Sequence, residues 1–231
     1  MPNNFSDLDR LLHKSMFFPG LNARLASLPS LMRVVELQLE SGRSEEITRL
    51  RKEHKSAGKR LHPEDKAFEL EELENQVTHY LPKMFRGGYV LTLWSVLERS
   101  LMDIALKTAE HIGDPLPEDY FRKGSFLPLI RDAISKHSGV SAFPSPDELK
   151  KLRLLKDVRQ TLIHHDGRLN EAPDSLKRLS FTELEKIGLI VEKDGYFTFI
   201  IPTELFLNLN TKLIDNCIKR IANQVYEASV N

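Results

Sequence analysis

Residues 150–167 constrain the fold more than any other part of the chain, because they form the pattern of one amphipathic helix with a defined beginning and end. Apolar side chains recur there at three- and four-residue spacing, as on a helix with one buried face: Leu152, Leu155, Val158, Leu162 and Ile163. Ser145-Pro-Asp-Glu148 predicts the N-terminal cap, since it places proline in the first turn and acids near the positive end of the helix dipole. Gly167 predicts the C-terminal end.

Charged residues of this helix fall on two different faces. At about 100° per residue, Arg159 lies inside the apolar stripe. Burying an unpaired guanidinium costs several kcal/mol, so Arg159 should contact a carboxylate, a partner chain or a phosphate. His164 falls on the polar face with three cations, which makes that face a candidate track for phosphates. These cations are Lys150, Arg153 and Lys156.

The composition limits the classes of function that this chain can serve. It has 231 residues, 33 basic and 33 acidic side chains, and one cysteine. Because the charges balance, any binding to nucleic acid or to an anionic membrane must come from a local patch. Cys217 alone cannot form an internal disulfide or a cysteine-based zinc site, which suits a reducing cytoplasm. No apolar run approaches the roughly 18 residues of a membrane span, so we expect a soluble, cytoplasmic protein without membrane partners.

No motif for a metal or a cofactor is found. The eight histidines are scattered, without a His-x-x-x-His pair. Gly87-Gly88 lacks the Lys and Ser or Thr that follow in a phosphate-binding loop. We therefore expect neither a metal ion nor a cofactor.

Helical periodicity extends over most of the remaining chain. We expect Pro29 to break or start one helix and Ser41-Gly-Arg-Ser44 to form a turn. The helical patterns cover residues 5–14, 21–39, 84–111, 126–136 and 203–226. Asp194-Gly195, between apolar runs at 189–201, predicts a β-hairpin. The sequence thus predicts a mostly α fold, a helical bundle with a small β-hairpin before the last helix.

The N-terminal region carries a strongly charged segment at residues 43–60. Its cations suit an RNA-contacting arm. The acidic stretch from Glu64 to Glu74 follows at once, however, and favours two solvated helices that pair with each other. We assign residues 1–76 to an N-terminal helical extension and residues 77–231 to the helical domain with the hairpin.

An arginine and a histidine separated by four residues, Arg159-Gln-Thr-Leu-Ile-His164, are followed here by His-Asp-Gly. This resembles the motif of HEPN-domain proteins, and the stretch from Gly87 to Leu101 resembles the other core helix of such domains. The resemblance covers about Val77 to Tyr226. It implies a helical bundle and, as in many members, a metal-independent endoribonuclease that dimerises with two facing motifs and acts as a toxin or an antiviral defence effector restrained by an antitoxin or effector protein.

The resemblance assigns Arg159 and His164 as the catalytic pair of an RNA-cleaving site. Histidine suits proton transfer because its ordinary pKa is about 6.5, and arginine stabilises phosphate charge. Five helical residues separate the two side chains by roughly 140°, so either the helix loosens or a second subunit completes the site. The second alternative predicts a homodimer.

Four further residues are candidates for supporting roles. His165 lacks the motif spacing, and Asp166 either fixes an imidazole tautomer or bonds to backbone. Glu98 either holds Arg159 or only borders the apolar stripe of its own helix. Gln160 stands where active members usually have Asn, Asp or His. That departure keeps open a catalytically silent module that binds a partner protein or a nucleotide.

Overall fold

The computed structural model describes Phe18 and residues 20–57, 62–117, 119–122, 125–140 and 144–230. Over these residues the chain is mostly helical, and a two-stranded antiparallel sheet directly precedes the last helix. The predicted fold class is confirmed. The helix predicted at residues 5–14 lies outside the described residues.

Short connections join the helices and strands along the described chain. The α-helices are α1 (Leu21–Ala57), α2 (Pro63–Asn75), α3 (Leu81–His111), α4 (Phe126–Ser138), α5 (Pro146–His164), α6 (Asp174–Lys177), α7 (Phe181–Lys186) and α8 (Glu204–Val230). A π-helical turn spans Gln76–Tyr80, 3₁₀ helices span Tyr120–Arg122 and Leu169–Glu171, and the strands are β1 (Leu189–Asp194) and β2 (Phe197–Pro202). No helix in the described ranges combines the length and the apolar character needed to cross a bilayer.

The chain divides into two compact units. The first contains the described residues up to Leu28, Thr92–Lys156 and the chain from Leu209 onward, and the second contains Pro29–Leu91 and Asp157–Asn208. In the first unit the buried residues include Trp94, as its pattern predicts. In the second unit they include Val158, Leu184, Ile200 and Phe206. The division predicted between residues 76 and 77 stays a prediction.

Two predicted interruptions of α1 are wrong. The helix runs for 37 residues through Pro29 and through the serine-rich segment at 41–44. Ser41 Oγ donates a hydrogen bond to Glu45 Oε1 at 2.8 Å within the helix. Farther along the same unit, Arg86 of α3 donates from Nε and Nη2 to the two carboxylate oxygens of Glu36, at 2.8 and 2.7 Å. This long-range contact outweighs the local helix-breaking signals.

The charged segment at 43–60 belongs to α1 as far as residue 57. His54 Nε2 lies 2.8 Å from Glu69 Oε2 on α2, and Arg49 contacts Glu46 of its own helix. The contact between His54 and Glu69 joins the basic helix to the acidic one, as the paired arrangement predicts. RNA binding by this segment stays a prediction.

From Pro63 to His111 the helical path is continuous, but it changes geometry once. The Leu81 N–H donates to the Gln76 carbonyl, the five-residue spacing of a π-helical turn. Pro82 follows immediately, and proline in a regular helix clashes with the carbonyl four residues earlier. The wider π turn relieves this crowding and allows the helix to continue.

The hairpin is confirmed, with Leu189 opposite Pro202 and Asp194 opposite Phe197. Gly195, at φ +57°, and Tyr196 form the two-residue turn. The residues after α5 also pair with this sheet: the Ile200 N–H donates to the Gly167 carbonyl at 2.8 Å, and Arg168 bridges to Phe199. The hairpin therefore fixes the chain that follows the motif helix α5.

Candidate functional site

The N-terminal end of α5 has the predicted cap. The Ser145 N–H donates to Glu148 Oε2 at 2.9 Å, and the Glu148 N–H donates to Ser145 Oγ at 3.3 Å. This is a reciprocal capping box. Arg220 Nη2 also donates to Glu148 Oε2, at 2.5 Å. Burial alone would raise the pKa of Glu148, but the hydrogen bonds from Ser145 and the charge of Arg220 outweigh it, so the pKa lies below its ordinary value.

The buried face of α5 agrees with the prediction except at its last turn. Leu152, Leu155 and Val158 are fully buried and Leu162 is half-buried. The prediction for Ile163 is wrong, because 41% of this residue is exposed. Thr161 takes the buried position instead, since its hydroxyl donates to the Asp157 carbonyl at 2.8 Å and is thereby satisfied without water.

Arg159 is half-buried, and its Nε atom is buried without a hydrogen-bond partner in the described part of the chain. A buried donor without a partner costs about 1–3 kcal/mol, more for a charged group. Glu98, its predicted carboxylate partner, is half-buried and belongs to the first unit, whereas Arg159 belongs to the second. That pairing stays a prediction. The unsatisfied donor makes Arg159 a candidate contact for an anion or for a second chain.

The two histidines at the end of α5 have different surroundings. His164 is the last helical residue and is exposed. The rings lie 6.5 Å apart, edge to face, and His165 Nδ1 is 3.3 Å from Glu171 Oε2. A hydrogen bond from Arg168, and a weaker one from His165, hold the pKa of Glu171 below its ordinary value. His165 therefore has an acidic partner, while the ring of His164 faces solvent.

The backbone beyond His164 turns through two left-handed residues. Asp166 has φ +49°, the only positive value at a non-glycine residue in the described ranges, and Gly167 has φ +78°. The Asp166 carboxylate lies 3.2 Å from Lys83 Nζ, a contact that the sequence did not predict. A Cβ atom at Gly167 would lie 3.1 Å from the Ile200 carbonyl oxygen, so a larger residue would be crowded there as well as strained by the positive φ.

An open cleft of about 550 Å³ lies next to Asp166. Its lining residues, all within the second unit, are Asn75, Tyr80, Lys83, Asp166, Glu192, Lys193, Phe199 and Ile201. We call it the Lys83 cleft. The Lys83 side chain is only 14% exposed, and its Nζ lies 4.5 Å from the centre of the Phe199 ring. Sequence reasoning missed Lys83 and Phe199, because no local pattern connects positions so far apart in the chain.

The remaining predicted site residues lie on α5. Lys150 and Arg153 are exposed and Lys156 is half-buried, all three in the first unit. In the described ranges, Lys150 and Arg153 have no ion-pair partner. Gln160 is half-buried. The RNA-binding and supporting roles of these residues stay predictions.

Comparisons of this chain with protein-family models, with curated proteins and with solved structures found no match. The unsatisfied Arg159 and the exposed His164 are therefore the residues that indicate a function.

Proposed function

We propose that this chain is a metal-independent endoribonuclease of HEPN type. The observation that carries the proposal is the buried Nε of Arg159, which lacks a hydrogen-bond partner within the described residues, on the helix that ends at the exposed His164. A guanidinium with an unused donor suits a phosphate, and a solvent-facing imidazole suits proton transfer near neutral pH. The motif thus supplies two of the groups that RNA cleavage needs.

The proposed reaction uses the substrate's own 2′-hydroxyl. Its oxygen attacks the adjacent phosphorus, the bond from phosphorus to the 5′-oxygen breaks, and a proton passes from the 2′-oxygen to a base while an acid protonates the leaving oxygen. His164 acts in this proton transfer. Arg159 stabilises the negative charge that develops on the phosphate oxygens. The products are a 2′,3′-cyclic phosphate, or a 3′-phosphate after its hydrolysis, and a 5′-hydroxyl.

A homodimer completes the proposed site. The helix is regular through His164, so it does not loosen to bring His164 toward Arg159. On one such helix the two side chains point roughly 140° apart. A second copy that faces the first across the motif helix would supply the missing half. Lys150, Arg153 and Lys156 would then add affinity for the RNA backbone.

The proposal extends to a role as a toxin or an antiviral defence effector, restrained by an antitoxin or an effector protein. The rival proposal is a catalytically silent module that binds a partner protein or a nucleotide. It is favoured by Gln160, which stands beside Arg159 where active HEPN members usually carry Asn, Asp or His. RNA cleavage by the purified protein separates the two.

The test measures cleavage of labelled single-stranded RNA in excess chelator, with identification of the product ends. Wild type should leave cyclic or 3′-phosphate ends and spare DNA, which lacks the 2′-hydroxyl. The Arg159→Ala, His164→Ala double variant should be inactive. As a matched control, Arg131→Ala, His111→Ala removes the same residue types from exposed positions and should stay active.

Folding and assembly are checked on the same samples. Circular dichroism should be unchanged in both double variants, and light scattering should give about twice the chain mass of 26.6 kDa. RNA that remains intact with folded, dimeric wild type would exclude the nuclease proposal and favour the silent module. Cleavage that stops in chelator would exclude metal independence.

A further inference from the structure

We propose that the Lys83 cleft binds one nucleobase of the RNA substrate, beside the scissile phosphate. The choice of RNA as the ligand rests on the proposed function. The choice of a base, rather than a phosphate or a peptide, rests on the cleft itself. Its volume of about 550 Å³ falls in the range of small-molecule sites.

The cleft offers flat apolar surface to a planar ring. Tyr80 is 56% exposed and, within the described ranges, has neither a ring contact nor a hydrogen-bond partner. It is the last residue of the π-helical turn, a geometry found disproportionately at functional sites. Phe199 and Ile201 add further apolar surface. An exposed aromatic ring without a stacking partner is the feature on which unpaired bases stack.

Polar groups of both hydrogen-bonding types complement the edges of a base. The Lys83 ammonium has three donors and contacts one carboxylate oxygen of Asp166 at 3.2 Å. Asn75 supplies both a donor and an acceptor, and Asp166 supplies acceptors. Carbonyl oxygens and exocyclic amines of bases need such groups.

Charge balance in the cleft argues against a phosphate as its main ligand. Lys83 and Lys193 are matched by Asp166 and Glu192. A site selected for phosphate would carry an excess of cations or a set of converging backbone N–H groups. A planar heterocycle that is neutral overall, with mixed donors and acceptors, fits this lining better.

The backbone around Asp166 supports a binding role. Positive φ at aspartate is unfavourable and persists only where the surrounding structure holds it. Here the pairing of Gly167 with Ile200 and the contact with Lys83 hold it and place Asp166 at the wall of the cleft. Asp166 is two residues from His164, so their Cα atoms lie within about 7 Å. One RNA strand can therefore reach both.

The experiment titrates the protein with the four ribonucleoside 3′-monophosphates, and with ribose 5-phosphate and inorganic phosphate as probes without a base. We expect at least one nucleotide to bind at least tenfold more tightly than either base-free probe. Equal affinity for nucleotides and base-free probes would overturn the proposal.

Two exposed tyrosines provide the matched variants. Tyr80→Ala should weaken nucleotide binding by roughly tenfold or more, the effect of losing one stacked base. Tyr196→Ala removes the 97% exposed tyrosine at the hairpin turn, outside the cleft lining, and should leave affinity unchanged. Asn75→Ala, at another exposed position of the cleft, should change the preference among the four bases.

The kinetics of RNA cleavage test base binding in the cleft separately from the nuclease activity. Tyr80→Ala should raise KM for RNA more than it lowers kcat. If the wild type cleaves RNA while Tyr80→Ala and Asn75→Ala bind nucleotides as tightly as wild type does, the cleft is excluded as the base-binding site. The nuclease proposal would then still stand. Nucleotide binding that is lost in Tyr80→Ala, in a protein that cleaves no RNA, would exclude the nuclease and leave the cleft as a nucleotide-binding site.

Discussion

The two ends of α5 differ in whether their polar groups have hydrogen-bond partners. At the N-terminal end, Ser145 and Glu148 exchange hydrogen bonds, and Arg220 neutralises the carboxylate. At the other end, Arg159 Nε has no partner among the described residues, and Asp166 adopts a positive φ. The first end has the features of a structural anchor. The second retains unsatisfied donors and strain, as sites of binding and catalysis commonly do.

This contrast separates stability from activity along a single helix. Changes at the capped end should lower stability while the motif residues stay in place. Changes at the far end should alter activity at little cost in stability, except where the backbone itself is constrained. Variants at five positions test this, in order from the largest expected effect to the smallest.

His164→Ala should lower the rate of RNA cleavage by roughly two to four orders of magnitude, because it removes the proposed proton-transfer group. Its stability should match wild type, since the side chain is exposed. His165→Ala is the control, and it should lower the rate far less. Single-turnover cleavage and urea unfolding measure the two quantities. Full activity of folded His164→Ala protein would contradict a catalytic role.

Gly167→Ala should lower the free energy of unfolding by about 2 kcal/mol, because alanine at positive φ is strained. The new Cβ would also lie 3.1 Å from the Ile200 carbonyl oxygen. Gly42→Ala is the matched control: it lies within α1 with nothing within 4 Å, and it should raise stability by up to about 1 kcal/mol. Chemical denaturation compares the two. Equal stability of Gly167→Ala and wild type would show that the loop after α5 relaxes freely.

Ser145→Ala should lower the free energy of unfolding by about 1 kcal/mol, the usual effect of losing a helix cap. The rate of RNA cleavage should not change.

Glu148→Gln tests the same cap by its pH dependence, since the pKa of Glu148 is lowered in the folded protein. Its carboxylate therefore stabilises the fold above its ordinary pKa of about 4.3, and this contribution is lost as the pH falls through the lower folded value. The difference in free energy of unfolding between wild type and Glu148→Gln should accordingly disappear at acidic pH. A gap independent of pH would contradict the cap geometry.

Asp166→Gly should be more stable than Asp166→Ala by at least about 0.5 kcal/mol. Both variants lose the contact with Lys83, so the difference isolates the backbone conformation. Thermal unfolding of the pair measures it. Equal stability of Asp166→Ala and Asp166→Gly would mean that residue 166 adopts a different φ in solution.

The parts of the fold that the sequence predicted correctly depend on neighbours in the chain. The capping box joins residues three apart, and the hairpin turn is set by Gly195. The continuous α1 was missed because Pro29 is a strong local signal, while the Arg86–Glu36 pair that favours the helix spans fifty positions. The periodicity of a sequence does not reveal long-range contacts.

The same limit applies to the candidate site. The sequence alone singles out Arg159, because it is a cation inside an apolar stripe, and its Nε is buried without a partner among the described residues. Lys83 and Phe199 gave no such signal, since their contact exists only after the hairpin packs beside the end of α5. Periodicity places Ile163 in the core, because it does not show that Thr161 satisfies its own hydroxyl within the helix.

Burial of the only cysteine makes the molecule convenient to label. Cys217 is fully buried, and burial, together with the negative charge of Glu148, raises its pKa to about 12. Maleimide dyes react with thiolates, so they should leave this thiol untouched. A Tyr196→Cys substitution at the exposed hairpin turn would then accept a single fluorophore per chain. Energy transfer between differently labelled copies would report whether two molecules associate, at concentrations far below those that light scattering needs.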